Sequence, residues 1–194
     1  MAISIAMLVK HPNIAQLSTL VEYMREVCND YVIVDTGSTP AVVNRMRNWQ
    51  DVRVLPRKWR DDFAWARNEG LSRVKNTWTL VLDPDELPSY TAMNFLHEIN
   101  LTSSEVPQAY EMWWVNFWDG VEAPAQEMYW HARLFTSGHW EFYRPVHEML
   151  APKGGLRGHQ VRRAPQSAYI IHSKTAKEIE ASDKIHARIG FISR

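Results

Sequence analysis

Three carboxylates lie within four residues at Asp83-Pro84-Asp85-Glu86, directly after the apolar run 79–82. Like charges this close repel one another unless a cation or hydrogen-bond donors offset them. A hard divalent ion would do so, and it would take its remaining ligands from substrate phosphates and water. A solvated turn is the alternative, because Asp, Pro and Glu are common in turns. The position after a buried strand favours the metal site.

A second acid, Asp35, ends another apolar run and precedes Thr36-Gly37-Ser38. Apolar residues recur every three or four positions between such runs, which predicts helices, and Asn13, Thr39-Pro40 and Asp61 or Asp62 are typical helix starts. The apolar runs themselves predict strands at 3–9, 31–34, 52–55 and 79–82. This βαβαβαβ order predicts a Rossmann-like, mostly parallel α/β sheet with helices on both faces. Its strands end at one edge, so Asp35 and Asp83 should face one crevice.

The second half of the chain is rich in aromatic residues. A helix over 92–99 and strands over 110–118, 127–135 and 168–171 are predicted, with a loop from Lys153 to Arg163. Isoleucines at 179, 185, 189 and 192 predict a C-terminal helix. Most of the tryptophans in this half are expected to pack in the core, and one or two to form a platform for a sugar ring or base; they are Trp113, Trp114, Trp118, Trp130 and Trp140.

Composition narrows the class of protein. The chain has 194 residues, 45% hydrophobic and 23% charged, with zero formal net charge, which is typical of a globular domain and not of a strongly basic nucleic-acid binder. The one cysteine, Cys28, excludes an internal disulfide or a cysteine-built zinc site. Without an apolar run near ~18 residues or a signal peptide, a cytoplasmic protein is expected. We predict one domain over 1–194.

Several stretches, taken in order along the chain, resemble the family 2 glycosyltransferases, which have the GT-A fold. The matching stretches are Ile5-Ala6-Met7-Leu8-Val9-Lys10, Val34-Asp35-Thr36-Gly37-Ser38-Thr39, Asp62-Phe63-Ala64-Trp65-Ala66-Arg67-Asn68, Leu82-Asp83-Pro84-Asp85-Glu86, Arg133-Leu134-Phe135, Trp140, Val146-His147-Glu148 and Ile170-Ile171-His172.

The resemblance implies a donor that is a nucleotide diphosphate sugar. It also implies that the one domain has a nucleotide-sugar-binding half (1–100) and an acceptor and catalytic half (101–194). Asp35 would hold the nucleoside, and Arg67 would lie near the base or diphosphate. Asp83 would approach the ribose or the metal, and Asp85 would ligate Mn²⁺ or Mg²⁺, as in the family's DxD element. The chain departs from the family at Pro40, where many members have Asp.

Glu148 occupies the position similar to the family's general base, which would activate an acceptor hydroxyl, and His147 is the competing candidate. Such a base typically contributes about 10²–10⁴-fold. The alternative for Glu148 is a salt bridge with Arg144 or Arg133.

Two further residues are candidates near the C-terminus. In some relatives a histidine here completes the metal or diphosphate site, which would be the role of His172; a satisfied, partly buried side chain is the alternative. Lys174 could neutralise diphosphate charge, or could be a solvated surface lysine.

A basic segment precedes these residues and is predicted to be a solvated loop. It could instead order over the donor or contact an anionic acceptor; its basic residues are Lys153, Arg157, His159, Arg162 and Arg163.

The resulting hypothesis is an inverting, metal-dependent glycosyltransferase. It would move one hexose from a nucleotide diphosphate sugar to an acceptor hydroxyl on a saccharide, a lipid-linked glycan, a hydroxymethylated pyrimidine in DNA or a protein side chain. A nucleotidyltransferase is one alternative, but the segment Lys10-His11-Pro12-Asn13 lacks the glycines of a phosphate loop. A non-catalytic nucleotide- or sugar-binding module is the other, although it would not need Glu148.

Overall fold

The computed structural model describes residues 3–101, 107–118, 121–122, 128–155 and 158–174. The helices are α1 (Ile14–Met24), α2 (Pro40–Arg47), α3 (Phe63–Leu71) and α4 (Tyr90–Asn100). The strands are β1 (Ile3–Val9), β2 (Cys28–Asp35), β3 (Val52–Pro56), β4 (Trp78–Val81), β5 (Glu86–Pro88), β6 (Gln108–Trp118), β7 (Val121–Glu122), β8 (Tyr129–Thr136), β9 (Trp140–Tyr143), β10 (Met149–Pro152), β11 (Gln160–Arg163) and β12 (Tyr169–Lys174).

The first half of the chain forms the parallel part of the sheet, in the order β3-β2-β1-β4. β1 runs parallel to β2 with Val9 opposite Asp35, and parallel to β4 with Ala6 opposite Val81. The predicted alternation of strands and helices is confirmed.

The second half extends this sheet with mixed pairings, in the order β8-β6-β12-β5 beyond β4, while β7 and β11 pair with β6. β8 is antiparallel to both β4 and β6, whereas β12 is parallel to β6 and antiparallel to β5. β12 therefore lies beside the segment that follows Asp85.

Helices cover both faces of the sheet, as predicted. Buried residues of α1, α2 and α4 pack with Ile5 and Met7 of β1, while Ala64 of α3 packs on the opposite face with Ala6. α3 approaches closely because residue 70 is glycine: a Cβ there would lie 3.2 Å from Val34 Cγ2.

The helix starts follow the predicted caps. Asn13 Oδ1 accepts hydrogen bonds from the amides of Ala15 and Gln16, and Asp62, not Asp61, caps α3 by accepting from Trp65 N at 2.8 Å. Among the described residues, no helix has the length and apolar character needed to cross a membrane.

The structure corrects one prediction and adds elements that were not predicted. The expected loop from Lys153 to Arg163 contains a 3₁₀ turn (Lys153–Gly155) and β11. β11 forms because the edge of β6 offers backbone partners; all four of its residues are exposed, so no apolar pattern marks it. β5 and the β9–β10 hairpin are also additions, and the predicted C-terminal helix lies outside the described residues.

Candidate active site

A cavity of about 1060 Å³ opens at the carboxyl ends of β1, β2 and β4. Its lining brings Arg67, Asp83, Asp85, Glu148 and His172 together from distant parts of the sequence. The cavity is therefore the place where most of the predicted site residues meet, and His147 also lines it.

Arg67 of α3 joins two of the predicted acids. Its Nε donates to Glu148 Oε1 at 2.7 Å, and its Nη2 donates to Asp83 Oδ1 and Oδ2 at 3.1 and 3.2 Å. The Arg67 side chain is nine-tenths buried, and its Nη1 has no partner. Glu148 does make a salt bridge, but with Arg67 and not with the expected Arg144 or Arg133.

The electrostatics favour the charged forms of Asp83 and Arg67. Burial opposes the charge on Asp83, but the guanidinium groups of Arg67 and Arg133 outweigh it and lower the pKa of Asp83 to about 2. Burial acts against the charge of Arg67 too, yet Asp83 and Glu148 raise the pKa of its guanidinium.

Helix α3 also fixes the loop that carries Glu148. The Asn68 side chain donates to Phe142 O and accepts from Phe142 N, both at 2.8 Å, so it pairs with β9 as a backbone strand would. Phe63 N donates to Pro145 O at 2.9 Å. His147 has a φ of 51°, a left-handed conformation that non-glycine residues seldom adopt. The turn between β9 and β10 is thus held against the start of α3.

Glu86, the third acid of the cluster, has a structural role. Its Oε1 accepts from Trp114 Nε1 at 2.8 Å and from Arg133 Nη2 at 2.6 Å, while its Oε2 accepts from Asp83 N at 2.8 Å. Burial raises the pKa of Glu86, and these donors stabilise its charged form. Glu86 therefore orients the loop and does not face a ligand.

Asp85 and His172 form the pair that could hold a divalent ion. Nε2 of His172 lies 3.1 Å from Asp85 Oδ2, and Nδ1 lies 2.8 Å from Asn116 Oδ1. A carboxylate oxygen only accepts, so His172 donates to Asp85 when its proton is on Nε2; with the proton on Nδ1 and donated to Asn116 Oδ1, the Nε2 lone pair is available to a metal ion. Metal-ligating histidines are typically oriented in this way.

The described residues contain no group of three or more His, Cys, Asp and Glu side chains placed to hold a metal ion. Asp83 is already engaged by Arg67. A metal at Asp85 and His172 would therefore need the remaining ligands from a diphosphate and water, as hard divalent ions commonly do.

Asp35 lies beside the cavity at the end of β2, next to the lining residue Thr36. Its Oδ2 accepts from Ser38 N at 3.1 Å, while its buried Oδ1 has no partner. A buried polar atom without a partner calls for an explanation, and a bound ligand that donates a hydrogen bond is one. Lys174 is the last residue of β12, and its role stays a prediction.

Sequence reasoning considered Arg133 only as an alternative salt-bridge partner of Glu148 and assigned no role to Asn116. Arg133 lies at an irregularity in the β6–β8 pairing, where two β8 steps oppose one β6 step, and such bulges re-aim side chains.

Of the five tryptophans considered in the sequence, Trp114 and Trp140 are buried, whereas Trp118 is 38% exposed. Trp114, Trp130 and Trp140 contribute to the cavity wall.

Comparison with known proteins agrees with this geometry. Residues 17–93 match the model of the family described as Glycosyl transferase family 2. The SPbeta prophage-derived glycosyltransferase SunS of Bacillus subtilis is 31% identical over 62 residues, which are 31% of this chain and 15% of SunS. A TPR repeat-containing protein of Synechococcus elongatus is 33% identical over 66 residues, covering 32% of this chain and 15% of that protein.

Two solved structures share the fold at low identity. S. aureus TarS 1–349 in complex with UDP-GlcNAc has a TM-score of 0.58 and 14% identity, covering 90% of this chain and 59% of that one. The complex of TarS 1–349 with UDP has a TM-score of 0.57 and 13% identity, covering 97% of this chain and 65% of that one. The chain thus spans 15% of the length of both curated relatives and under two thirds of the TarS chains.

The fold is the GT-A fold that these solved structures share. The match over residues 17–93 confirms the predicted resemblance to the family 2 glycosyltransferases.

Proposed function

We propose that this protein is an inverting, metal-dependent glycosyltransferase that moves a hexose from a nucleotide diphosphate sugar to an acceptor hydroxyl. The observation that carries the proposal is one cavity that brings Asp85 and His172, Arg67 and Glu148 to the carboxyl ends of a parallel sheet. Ligands of open α/β sheets bind at this edge.

The donor end of the site is assigned to the part of the cavity beside Asp35. Its unpartnered Oδ1 needs a hydrogen-bond donor, and a nucleobase with a ring N–H, such as uracil, supplies one. The UDP and UDP-GlcNAc complexes of TarS, which shares the fold, support a uridine diphosphate sugar.

Asp85 and His172 would hold Mn²⁺ or Mg²⁺, because a carboxylate oxygen and an imidazole nitrogen lie 3.1 Å apart in the wall of this cavity. When bound, the ion supplies Lewis-acid stabilisation of the departing diphosphate. The unpartnered Nη1 of Arg67 adds a buried donor to the same cavity. The DxD assignment is thus divided: Asp85 is a ligand candidate, and Asp83 orients Arg67.

Glu148 is proposed as the general base. Its carboxylate lies in the cavity, and Arg67 holds it in one orientation through the 2.7 Å hydrogen bond. The second carboxylate oxygen is assigned to accept the proton of the acceptor hydroxyl. The hydroxyl oxygen then bonds to the anomeric carbon as the bond from that carbon to the diphosphate breaks. Direct displacement from the face opposite the diphosphate inverts that carbon.

The proposal is tested by thermal protection and donor hydrolysis. We expect UDP to raise the melting temperature only with Mn²⁺, and a panel of nucleotide sugars to include one that is slowly hydrolysed under the same conditions. Asp85→Asn should lose both effects. Asp51→Asn, an exchange remote from the cavity, is the matched control.

Two results would contradict the proposal. Protection by UDP without metal, combined with stability of every nucleotide sugar tested, would indicate a binding module. Full metal-dependent hydrolysis in Asp85→Asn would remove Asp85 from the metal site.

A further inference from the structure

Three rings of the cavity wall form a cluster next to the proposed metal corner. Trp114 lies opposite Tyr129 across the β6–β8 ladder, and their ring centroids are 5.0 Å apart. His131 contacts both, with centroids 5.4 Å from Trp114 and 4.6 Å from Tyr129. All three residues line the cavity, and we refer to them as the ring wall.

The ring wall is joined directly to the proposed reaction centre. The Trp114 ring stacks on His172 with centroids 4.3 Å apart and an interplanar angle of 26°. At the other end, Tyr129 is 38% exposed and lies toward solvent. The wall therefore extends from the ligand candidate His172 to an open side of the cavity.

His131 is the polar group of this wall. Among the described residues, neither ring nitrogen makes a hydrogen bond, and the ring is half-buried. Burial, followed by the positive charges of Arg133 and Arg67, lowers its pKa to about 3. A neutral imidazole both donates and accepts one hydrogen bond.

Two arginines that neighbour the ring wall, on β8 and β11, are engaged by carboxylates. Arg133 pairs with Glu86 at 2.6 Å and with Asp83 at 3.9 Å. Arg163 pairs with Glu111 at 3.2 Å while its guanidinium lies over Trp130. Phosphate recognition relies on positive groups that are available to the ligand.

We propose that the ring wall is the acceptor subsite and takes an uncharged saccharide, with His131 as the side chain that hydrogen-bonds a hydroxyl of that sugar. Aromatic rings beside one neutral polar group suit a pyranose, which presents apolar C–H faces and hydroxyls together. This inference rests on the proposed function and selects the saccharide among its possible acceptors.

The test measures how acceptors accelerate donor consumption. Methyl glucoside, methyl galactoside and methyl N-acetylglucosaminide are the saccharide probes; a hydroxymethylcytosine-containing oligonucleotide and a serine- and cysteine-containing peptide represent the other classes. Wild type is compared with His131→Ala and with His131→Gln, which keeps a neutral donor and acceptor. His97→Ala, an exposed histidine on α4, is the matched control.

We expect a methyl glycoside to accelerate donor consumption in the wild type. His131→Ala should raise the KM for that glycoside roughly three- to tenfold, the loss of about one neutral hydrogen bond. Its kcat and its acceptor-free donor hydrolysis should stay within about twofold of the wild type, and His131→Gln should recover part of the lost affinity.

Each other result is informative. An unchanged acceptor KM in folded His131→Ala overturns the inference, as does acceleration by the oligonucleotide or the peptide alone. If the KM of acceptor-free hydrolysis rises instead, the ring wall holds the donor's sugar and not the acceptor. If the wild type consumes no nucleotide sugar at all, the proposed function fails first.

Discussion

At the scale of single residues, Arg67 is the side chain on which the site depends. Its nitrogens donate to Asp83, which follows β4, and to Glu148, which lies 81 positions after Arg67 in the sequence. A guanidinium can serve two carboxylates in different directions because its donors form a rigid planar fork. The two carboxylates are therefore held in a fixed relation by one cation.

Glu148→Gln is the sharpest residue-scale test. The amide keeps the size of the side chain but cannot accept a proton, so transfer should fall about 10²–10⁴-fold while the donor Kd stays within about threefold. Transfer is measured in steady state, and donor binding by titration calorimetry. Glu141→Gln, at an exposed position of β9, should behave as the wild type. Unchanged turnover in Glu148→Gln would move the base elsewhere, first to His147.

At the scale of elements, the loop between β9 and β10 is positioned by α3. Asn68 makes two hydrogen bonds to Phe142, and the buried face of Phe142 packs in the same cluster as Ala64. The hairpin therefore depends on a helix that precedes it by about seventy residues in the chain.

Asn68→Ala should loosen the hairpin without unfolding the sheet. Loss of two hydrogen bonds should lower the free energy of unfolding by about 1–3 kcal/mol, measured by urea denaturation. Hydrogen exchange should rise in 140–150 and remain unchanged in β1 and β2. Asn48→Ala, at the exposed end of α2, is the control. Equal protection of the hairpin in both variants would show that Asn68 does not hold it.

The parallel half of the fold could be predicted because local patterns specify it. Buried β-branched runs, helical spacing and the Asn13 and Asp62 caps all act over a few residues. β9, β10 and β11 could not be predicted in this way. β11 buries no side chain, and the β9–β10 hairpin is held by Asn68 of helix α3.

The candidate site, like the fold, could be predicted only in part. Resemblance to known glycosyltransferases identified Asp83, Asp85, Glu148 and His172, which the fold brings to one cavity. It did not reveal that Glu86 is turned inward, because three adjacent acids look alike until Trp114 and Arg133 define their donors. The division into halves at residue 100 stays a prediction.

At the scale of the whole molecule, His131 gives stability a dependence on pH. Its pKa is about 3 in the folded protein and has an ordinary value of 6.5, so between these values the unfolded chain binds more protons. Stability should therefore fall as the pH drops below 6.5. The charged and titratable groups that act on the ring are Arg133, Arg67, Asp83 and His172.

The test is the melting temperature of the wild type and of His131→Gln between pH 7 and pH 4. Glutamine takes up no proton, so the variant should lose less stability over this interval. The pKa of Asp83 is lowered from 3.8 to about 2, so protonation of Asp83 reduces stability mainly below pH 3.8, outside this interval. Parallel curves for the two proteins would mean that His131 titrates normally.

The interleaving of β5, β6, β8 and β12 has a consequence for protein engineering. Glu86 accepts hydrogen bonds from the side chains of Trp114 and Arg133, while Asp85 contacts His172 and accepts from Ser173 N through its backbone oxygen. A chimera that exchanged everything after residue 100 for the matching part of a relative would separate these partners. Such chimeras should fold when the residues at positions 86, 114, 133 and 172 all come from the same parent protein.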